Sequence, residues 1–139
     1  MTACPINARL VAEVLTTPSG ITATILGHQT GHTISTFITP ELGFSIIPGG
    51  TQRFHLHFLK PASNDNIEGY VTIELANSSG IGYGTIISSN KSLIGWVSVS
   101  QSYELLVDIV LTSTIINTTD RMIVKIYLDN NESSSKTVN

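Results

Sequence analysis

The chain has 139 residues, which is the size of one domain. Only 12% of the residues are charged and the formal net charge is −3, so a strongly cationic nucleic-acid-binding protein and a charged coiled coil are excluded. The 18 Ile and 17 Thr residues are β-branched, which suits pleated strands better than helices. Because 41% of the residues are hydrophobic, the chain can build a core, and intrinsic disorder is excluded as well.

The cysteine content and the N-terminal sequence bear on the cellular compartment. Cys4 is the single cysteine, so a disulfide-stapled secreted scaffold is excluded. The segment MTACPINARL lacks the basic and continuous apolar regions of a signal peptide. No run reaches the roughly 18 apolar residues that a membrane span requires. We therefore expect a product that is made in the cytoplasm and has no membrane partner.

In the first half of the chain, apolar and polar residues alternate in short segments that end at turn residues, as in β-strands. A polar arm over 1–7 leads into a segment over 6–16, which fits a strand or, alternatively, a short helix. Pro48-Gly49-Gly50 is the firmest turn signal of the chain. The other strand candidates of this half are 21–25, 33–39 with a continuation over 44–47, and 52–59.

The second half shows the same alternation and ends in a stretch that predicts a polar tail, DNNESSSKTVN over 129–139. Residues 112–121 are interpreted as a loop. The strand candidates are 69–76, 81–88, 93–99, 103–111 and 122–128. Eight to ten short strands at a spacing of about 10–13 residues predict an all-β fold, an antiparallel, jelly-roll-like β-sandwich over 1–128.

His55 and His57 are the first candidates for chemistry, because residues i and i+2 of a strand lie on the same face. Such a pair can hold one metal ion, but zinc usually needs a third and a fourth ligand, and no cysteine or acid is adjacent in sequence. The alternative is a polar outward face that Arg53 completes. We favour that alternative and predict no metal site and no cofactor.

The acidic residues do not predict a catalytic site. Glu104 and Asp108 share the even-numbered face of one predicted strand with Leu106 and Val110, but nothing selects a carboxylate pair as acid and base. No nucleophile stands in a pattern that the histidines could activate. We therefore expect a protein that is not an enzyme.

The segment Gly80-Ile81-Gly82-Tyr83-Gly84 lacks the lysine and the following helix of a phosphate-binding loop. Glycines spaced by two leave one face of a strand bare, and we expect Trp96 to cover that face. The alternative is an exposed aromatic platform for a glycan, formed by Tyr83, Trp96 and Tyr103.

Several apolar residues fall on faces opposite the predicted core, where a monomer would expose them to water. The alternative is that loops cover those faces. Because the centres of protein interfaces are depleted in charge, we favour an assembly interface. Its candidate residues are Leu59, Ile94, Leu106, Val110, Ile115, Ile116 and Ile123.

With its Ser/Thr/Ile-rich strands and its polar arms over 1–7 and 129–139, the chain resembles small β-sandwich structural proteins of tailed bacteriophages. These are capsid decoration (cement) proteins or tail and baseplate modules. The resemblance implies a virion protein made in the host cytoplasm, a homo-oligomer, often a trimer, that binds the major capsid protein and no nucleic acid. A carbohydrate-binding or receptor-binding module of a tail or baseplate is the alternative.

Overall fold

The computed structural model describes residues 20–59, 66–96 and 101–139. These ranges contain β-strands and no helix, so they also contain no helix of the length and hydropathy needed to cross a membrane. In chain order the strands are β1 (Ala23–Ile25), β2 (His32–Ile38), β3 (Ile46–Ile47), β4 (Gly50–Phe58), β5 (Ile67–Ala76), β6 (Gly82–Ser88), β7 (Ser92–Leu93), β8 (Tyr103–Leu111), β9 (Thr114–Ile115), β10 (Arg121–Asn130) and β11 (Lys136–Val138).

The larger sheet has the order β2-β10-β5-β6, and β7 also pairs with β5. All of its pairings are antiparallel. Its two central strands, β5 and β10, pair along their whole length, from Ile67 opposite Asn130 to Ala76 opposite Arg121. β5 and β10 therefore form the centre of the larger sheet, and the other strands of that sheet pair with one or the other of them.

A ribbon of β4 and β8 forms the second layer and is also antiparallel, from Gly50 opposite Leu111 to Phe58 opposite Tyr103. Beyond the Pro48-Gly49 turn, β3 and β9 pair as a short extension of the same ribbon. At the other end of β4, the backbones of Leu59 and Asn139 exchange two hydrogen bonds, which join β11 to this layer.

The core lies between the two layers and follows from the alternation of the strands. Val71 and Ile73 of β5 and Val107 and Ile109 of β8 are buried, whereas their neighbours in sequence are mostly more exposed. Each such side chain contributes about 2 kcal/mol through removal from water. Packing against β8 requires a glycine at position 69, because a Cβ there would lie 2.7 Å from a methyl group of Leu105.

The predicted all-β antiparallel sandwich is confirmed, and two boundaries differ from the prediction. Residues 129–139 are not a polar tail, because β10 continues to Asn130 and β11 pairs with β1. The predicted loop over 112–121 contains β9. In both cases the physical reason is pairing between strands that are distant in sequence. This pairing buries Val138 and orders short strands that show no alternation of apolar and polar residues. The predicted arm over 1–7 and the segment over 6–16 lie outside the described residues.

Candidate functional site

The seven predicted interface residues divide into three groups. Leu106, Val110 and Ile115 are exposed, and Ile115 is the most exposed large apolar residue of the described chain at 86%. Leu59 is half-buried. The other three are buried, which corrects the prediction that they are available to an assembly interface: Ile94, Ile116 and Ile123.

The burial of those three residues has local causes. Ile94 follows the end of β7, and its backbone N–H donates to Ile67, which turns its side chain into the core and leaves Leu93 outside. Ile116 lies just beyond β9, and its backbone N–H donates to the carbonyl of Ser45. Ile123 does lie on the outer face of the larger sheet, but Ile38 and Glu74 flank it on the neighbouring strands and cover it.

Exposed apolar side chains concentrate at one end of the sandwich, which we call the isoleucine end. Its members lie on the outer faces of both layers. Ile38 and Ile86 belong to one cross-strand row of the larger sheet, separated by Ile123 and Glu74, and Val110 lies on the outward face of the β4–β8 ribbon. Ile46 pairs directly with Ile115. The isoleucine end comprises Ile38, Ile46, Ile81, Tyr83, Ile86, Val110 and Ile115, which are all exposed.

Tyr83 ties β6 to the loop between β9 and β10. Its hydroxyl donates to Asp120 Oδ1 at 2.7 Å, and the backbone N–H of Asn117 donates to Asp120 Oδ2 at 2.9 Å. The hydrogen bond from Tyr83 lowers the pKa of the Asp120 carboxyl, and burial opposes this shift. The isoleucine end is therefore held in a defined shape.

The bare face of the glycine-spaced segment is covered by Glu74, which corrects the expectation that Trp96 covers it. A Cβ at Gly82 would lie 2.4 Å from the Glu74 carboxyl group. That carboxylate accepts the backbone N–H of Gly84 at 2.9 Å. Gly82 thus leaves room for a carboxylate on the outer face of the sheet.

The opposite end of the sandwich, which we call the network end, is centred on the side chain of Asn130 and its neighbour Asp129. The Asn130 amide is fully buried and donates to the carbonyls of Ile25, Leu26 and Ser134. Its Oδ1 accepts the backbone N–H of Glu132. One side chain therefore holds together β1, β10 and the turn before β11.

Asp129 and Lys91 extend the network end on the outer face of the larger sheet. Asp129 is buried, accepts the backbone N–H of Gly31 at 2.6 Å and forms an ion pair with Lys91. The ammonium of Lys91 lies 5.0 Å from the centre of the Tyr70 ring, which stacks on Tyr127 with ring centres 5.0 Å apart. Burial, followed by the Asp129 charge, raises the pKa of the Tyr70 hydroxyl.

The three residues of the predicted glycan platform are not brought together. Tyr103 and Trp96 both flank Phe58, and the Trp96 ring meets the Phe58 ring edge-on at 6.5 Å. Phe58 packs near Gly69 of β5, whereas Gly82, next to Tyr83, pairs with Ala76 at the far end of the same strand. The seven intervening steps correspond to about 23 Å.

His55 and His57 lie on the outward face of the β4–β8 ribbon. The pairing of β4 with β8 places an acidic residue beside them, which the sequence spacing did not show. His57 pairs directly with Glu104. Glu104 Oε1 lies 2.6 Å from His55 Nδ1 and 3.7 Å from His57 Nε2. The hydrogen bond with His55 lowers the pKa of the Glu104 carboxyl.

Arg53 and Asp108 complete this face. The guanidinium Nε and Nη2 of Arg53 donate to the two carboxylate oxygens of Asp108 at 2.8 and 3.0 Å. This hydrogen-bonded pairing lowers the pKa of Asp108 and raises that of Arg53. Because both groups are exposed, we assign the pair little stability.

An apolar cleft of about 270 Å³ opens between β2 and β4. Its walls are formed mainly by aliphatic and aromatic residues of both layers, and both histidines of β4 line it. The lining includes Ile34, Phe37, His55, Leu56, His57, Phe58 and Ile126.

Comparison with known proteins shows a similarity in fold but identifies no family for this chain. No family model and no curated protein matches the chain. One similar structure is a CocE/NonD family hydrolase from Staphylococcus aureus, with 9% identity, a TM-score of 0.50, and coverage of 86% of this chain and 31% of that chain. An arabinose-bound MgGH51 α-L-arabinofuranosidase has 15% identity, a TM-score of 0.41, and coverage of 88% and 20%.

A third similar structure comes from work on carbohydrate-binding modules of the β-sandwich superfamily. It has 8% identity, a TM-score of 0.27, and coverage of 86% of this chain and 54% of that chain. The chain thus spans between 20% and 54% of the length of these three structures. At these identities the hydrolase likeness shows the β-sandwich fold alone, and the two weaker ones carry no argument.

Proposed function

We propose that this chain is a non-enzymatic structural protein that binds other protein subunits through its isoleucine end. The observation that carries the proposal is the concentration of exposed apolar side chains there, with Val110 exposed at 72% and Ile115 at 86%. A single exposed leucine is ordinary on a protein surface, but a grouped set is typical of an interaction site.

The surroundings of these side chains also suit an interface. The segments 77–79, 112–114 and 117–119 at this end consist of Ser, Thr and Asn only. Interface centres are depleted in charged residues, whereas a solvent-facing end usually carries Lys and Glu. Covering the apolar side chains with a partner stabilises the complex by about 2 kcal/mol for each one that becomes fully buried.

The mechanism of such a protein is mechanical. Several polar groups on the sheet faces pair with one another, as in Arg53 with Asp108, His55 with Glu104 and Lys91 with Asp129. Buried interface area lowers the free energy of an assembled shell or tube relative to its free subunits. No reaction is needed for this role.

In its finer form the proposal is a virion subunit, most specifically a capsid decoration protein that forms a homo-oligomer, a trimer in the first instance, on the major capsid protein. The small size, the sandwich fold and the apolar end support this form. The alternative, a glycan-binding module, has less support because Tyr83 is separated from Trp96 and Tyr103.

Sedimentation velocity of the purified chain over a range of concentrations tests the general proposal. We expect an oligomer whose population rises with concentration. A monomer at all concentrations, which also fails to bind capsid shells of the virus that encodes it, would contradict the proposal. The finer form is tested by genomic context, since flanking capsid or portal genes support a virion role and flanking metabolic genes oppose it.

A further inference from the structure

The outward face of the β4–β8 ribbon carries a set of potential metal ligands that the proposed function does not use. His55 and His57 are two residues apart on β4, and Glu104 lies opposite His57 on β8. On adjacent antiparallel strands, directly opposed Cβ atoms lie about 5 Å apart and i, i+2 neighbours about 6–7 Å apart. Three side chains on such a triangle can reach one ion above the sheet.

One carboxylate oxygen lies beside both imidazoles. Oε1 of Glu104 is 2.6 Å from His55 Nδ1 and 3.7 Å from His57 Nε2. At bond lengths of about 2.1 Å, two ligand atoms of a tetrahedral zinc ion are separated by about 3.4 Å. The distance to His57 is close to that value, whereas the distance to His55 is that of a hydrogen bond and must lengthen by about 0.8 Å when an ion binds.

We propose that His55, His57 and Glu104 form a surface binding site for a divalent cation of the zinc class. Imidazole and carboxylate groups are ligands that Zn²⁺ accepts, and three protein ligands leave the fourth position to water or to a group from a partner.

Binding needs a small rearrangement. As the side chains lie, no group of three or more His, Cys, Asp or Glu residues in the described ranges could hold a metal ion. At this site Glu104 Oε1 is hydrogen-bonded to His55, and that bond must open before an ion binds. All three side chains are well exposed, so rotation about their side-chain bonds can open the site without moving the backbone.

The charges around the site permit a cation. Arg53 is the nearest strong positive charge on β4, and its double hydrogen bond to Asp108 neutralises it. The carboxylate of Glu104 supplies the negative charge that attracts the ion. The remaining residues of this face are uncharged, namely Thr51, Leu106 and Val110.

Isothermal titration calorimetry with zinc chloride tests this inference on the full chain carrying Cys4→Ser, which removes the lone thiol. We expect one zinc ion per chain. His55→Asn, His57→Asn and Glu104→Gln should each weaken binding by about tenfold or more. His32→Asn is the matched control, because His32 lies on β2, and it should bind zinc like the parent.

Absence of zinc binding in the parent overturns the inference, and so does equal affinity of the His55, His57 and Glu104 variants. Imidazole NMR resonances provide a second measurement that needs no substitution at the site. Zinc should shift or broaden the signals of His55 and His57 and leave those of His28 and His32 in place. The opposite pattern would place the ion elsewhere and overturn the site.

Discussion

At the network end, a buried amide and a buried carboxylate satisfy backbone groups of β1, of Leu26 just after it and of the turns before β2 and β11. The surrounding side chains bind one another. At the isoleucine end, Asp120 also accepts a backbone N–H, but the large apolar side chains there face water. The two ends belong to the same strands, β5 and β10, which run the whole length between them.

This difference shows that folding of the described chain satisfies the polar groups of one end and leaves apolar side chains of the other exposed to water. Stability should depend on the network end, because loss of a buried partner leaves other polar groups without hydrogen bonds. Substitutions of exposed residues at the isoleucine end should change stability little and association much. The predictions below follow from this division.

The largest effect on stability is expected for Asn130→Ala at the network end. The substitution removes the donor of three buried or part-buried carbonyls, so we expect a loss of about 3 kcal/mol in the free energy of unfolding, measured in urea. Asn77→Ala is the control at the isoleucine end, where the Asn77 side chain accepts the backbone N–H groups of Ser79 and Ile81 in an exposed turn. We expect about 1 kcal/mol for this control, and equal losses for the two variants would contradict the division.

A smaller effect is expected for Gly82→Ala. The added methyl group would meet the Glu74 carboxylate, which must then leave the Gly84 N–H, so we expect a loss of about 1 kcal/mol. In a Glu74→Ala background the clash is gone, and Gly82→Ala should be neutral or slightly stabilising because alanine has less entropy to lose. A double-mutant cycle measures this coupling, and a coupling energy near zero would show that Glu74 does not constrain Gly82.

The free energy of unfolding, measured at decreasing pH, should reveal the hydrogen bond between Tyr83 and Asp120. Because the folded-state pKa of Asp120 is lowered, its stabilising contribution is present above the ordinary value of 3.8 and is lost as the pH falls through the folded-state pKa. Tyr83→Phe removes the main cause of that shift. The difference in unfolding free energy between wild type and Tyr83→Phe should therefore be constant near neutrality and shrink below pH 3.8. A difference that persists unchanged into stronger acid would contradict the assigned hydrogen bond.

The sequence predicts the strands whose alternation is long and regular. β4 and β8 bury one face, whereas β5 and β10 also bury some outward side chains. The predicted segments agree with all four strands within a few residues, because the apolar core-facing positions keep a period of two. β11 was missed because three residues carry no period. Its place depends on pairing with β1, more than 110 residues earlier in the chain.

The sites depend on register, which local patterns do not reveal. Glu104 is 49 residues from His55, and only the pairing of β4 with β8 brings the carboxylate to the imidazoles. Asn130 was assigned to a tail because an asparagine in a polar stretch gives no sign of burial. The prediction of outward apolar residues was correct for Leu106, Val110 and Ile115, which belong to or follow a regular strand. Ile94 and Ile116, which follow strand ends, are buried instead. Ile123 lies on the outer face as predicted but is buried between Ile38 and Glu74.

The division between the ends is tested most directly by sedimentation equilibrium on two matched double variants. Val110→Ser/Ile115→Ser alters the isoleucine end, and Leu26→Ser/Leu93→Ser removes two side chains outside it that are also exposed. We expect both variants to fold as stably as the wild type, and only Val110→Ser/Ile115→Ser to dissociate to monomers. Unchanged association of that variant, or equal dissociation of both, would contradict the assignment of the isoleucine end as the binding surface.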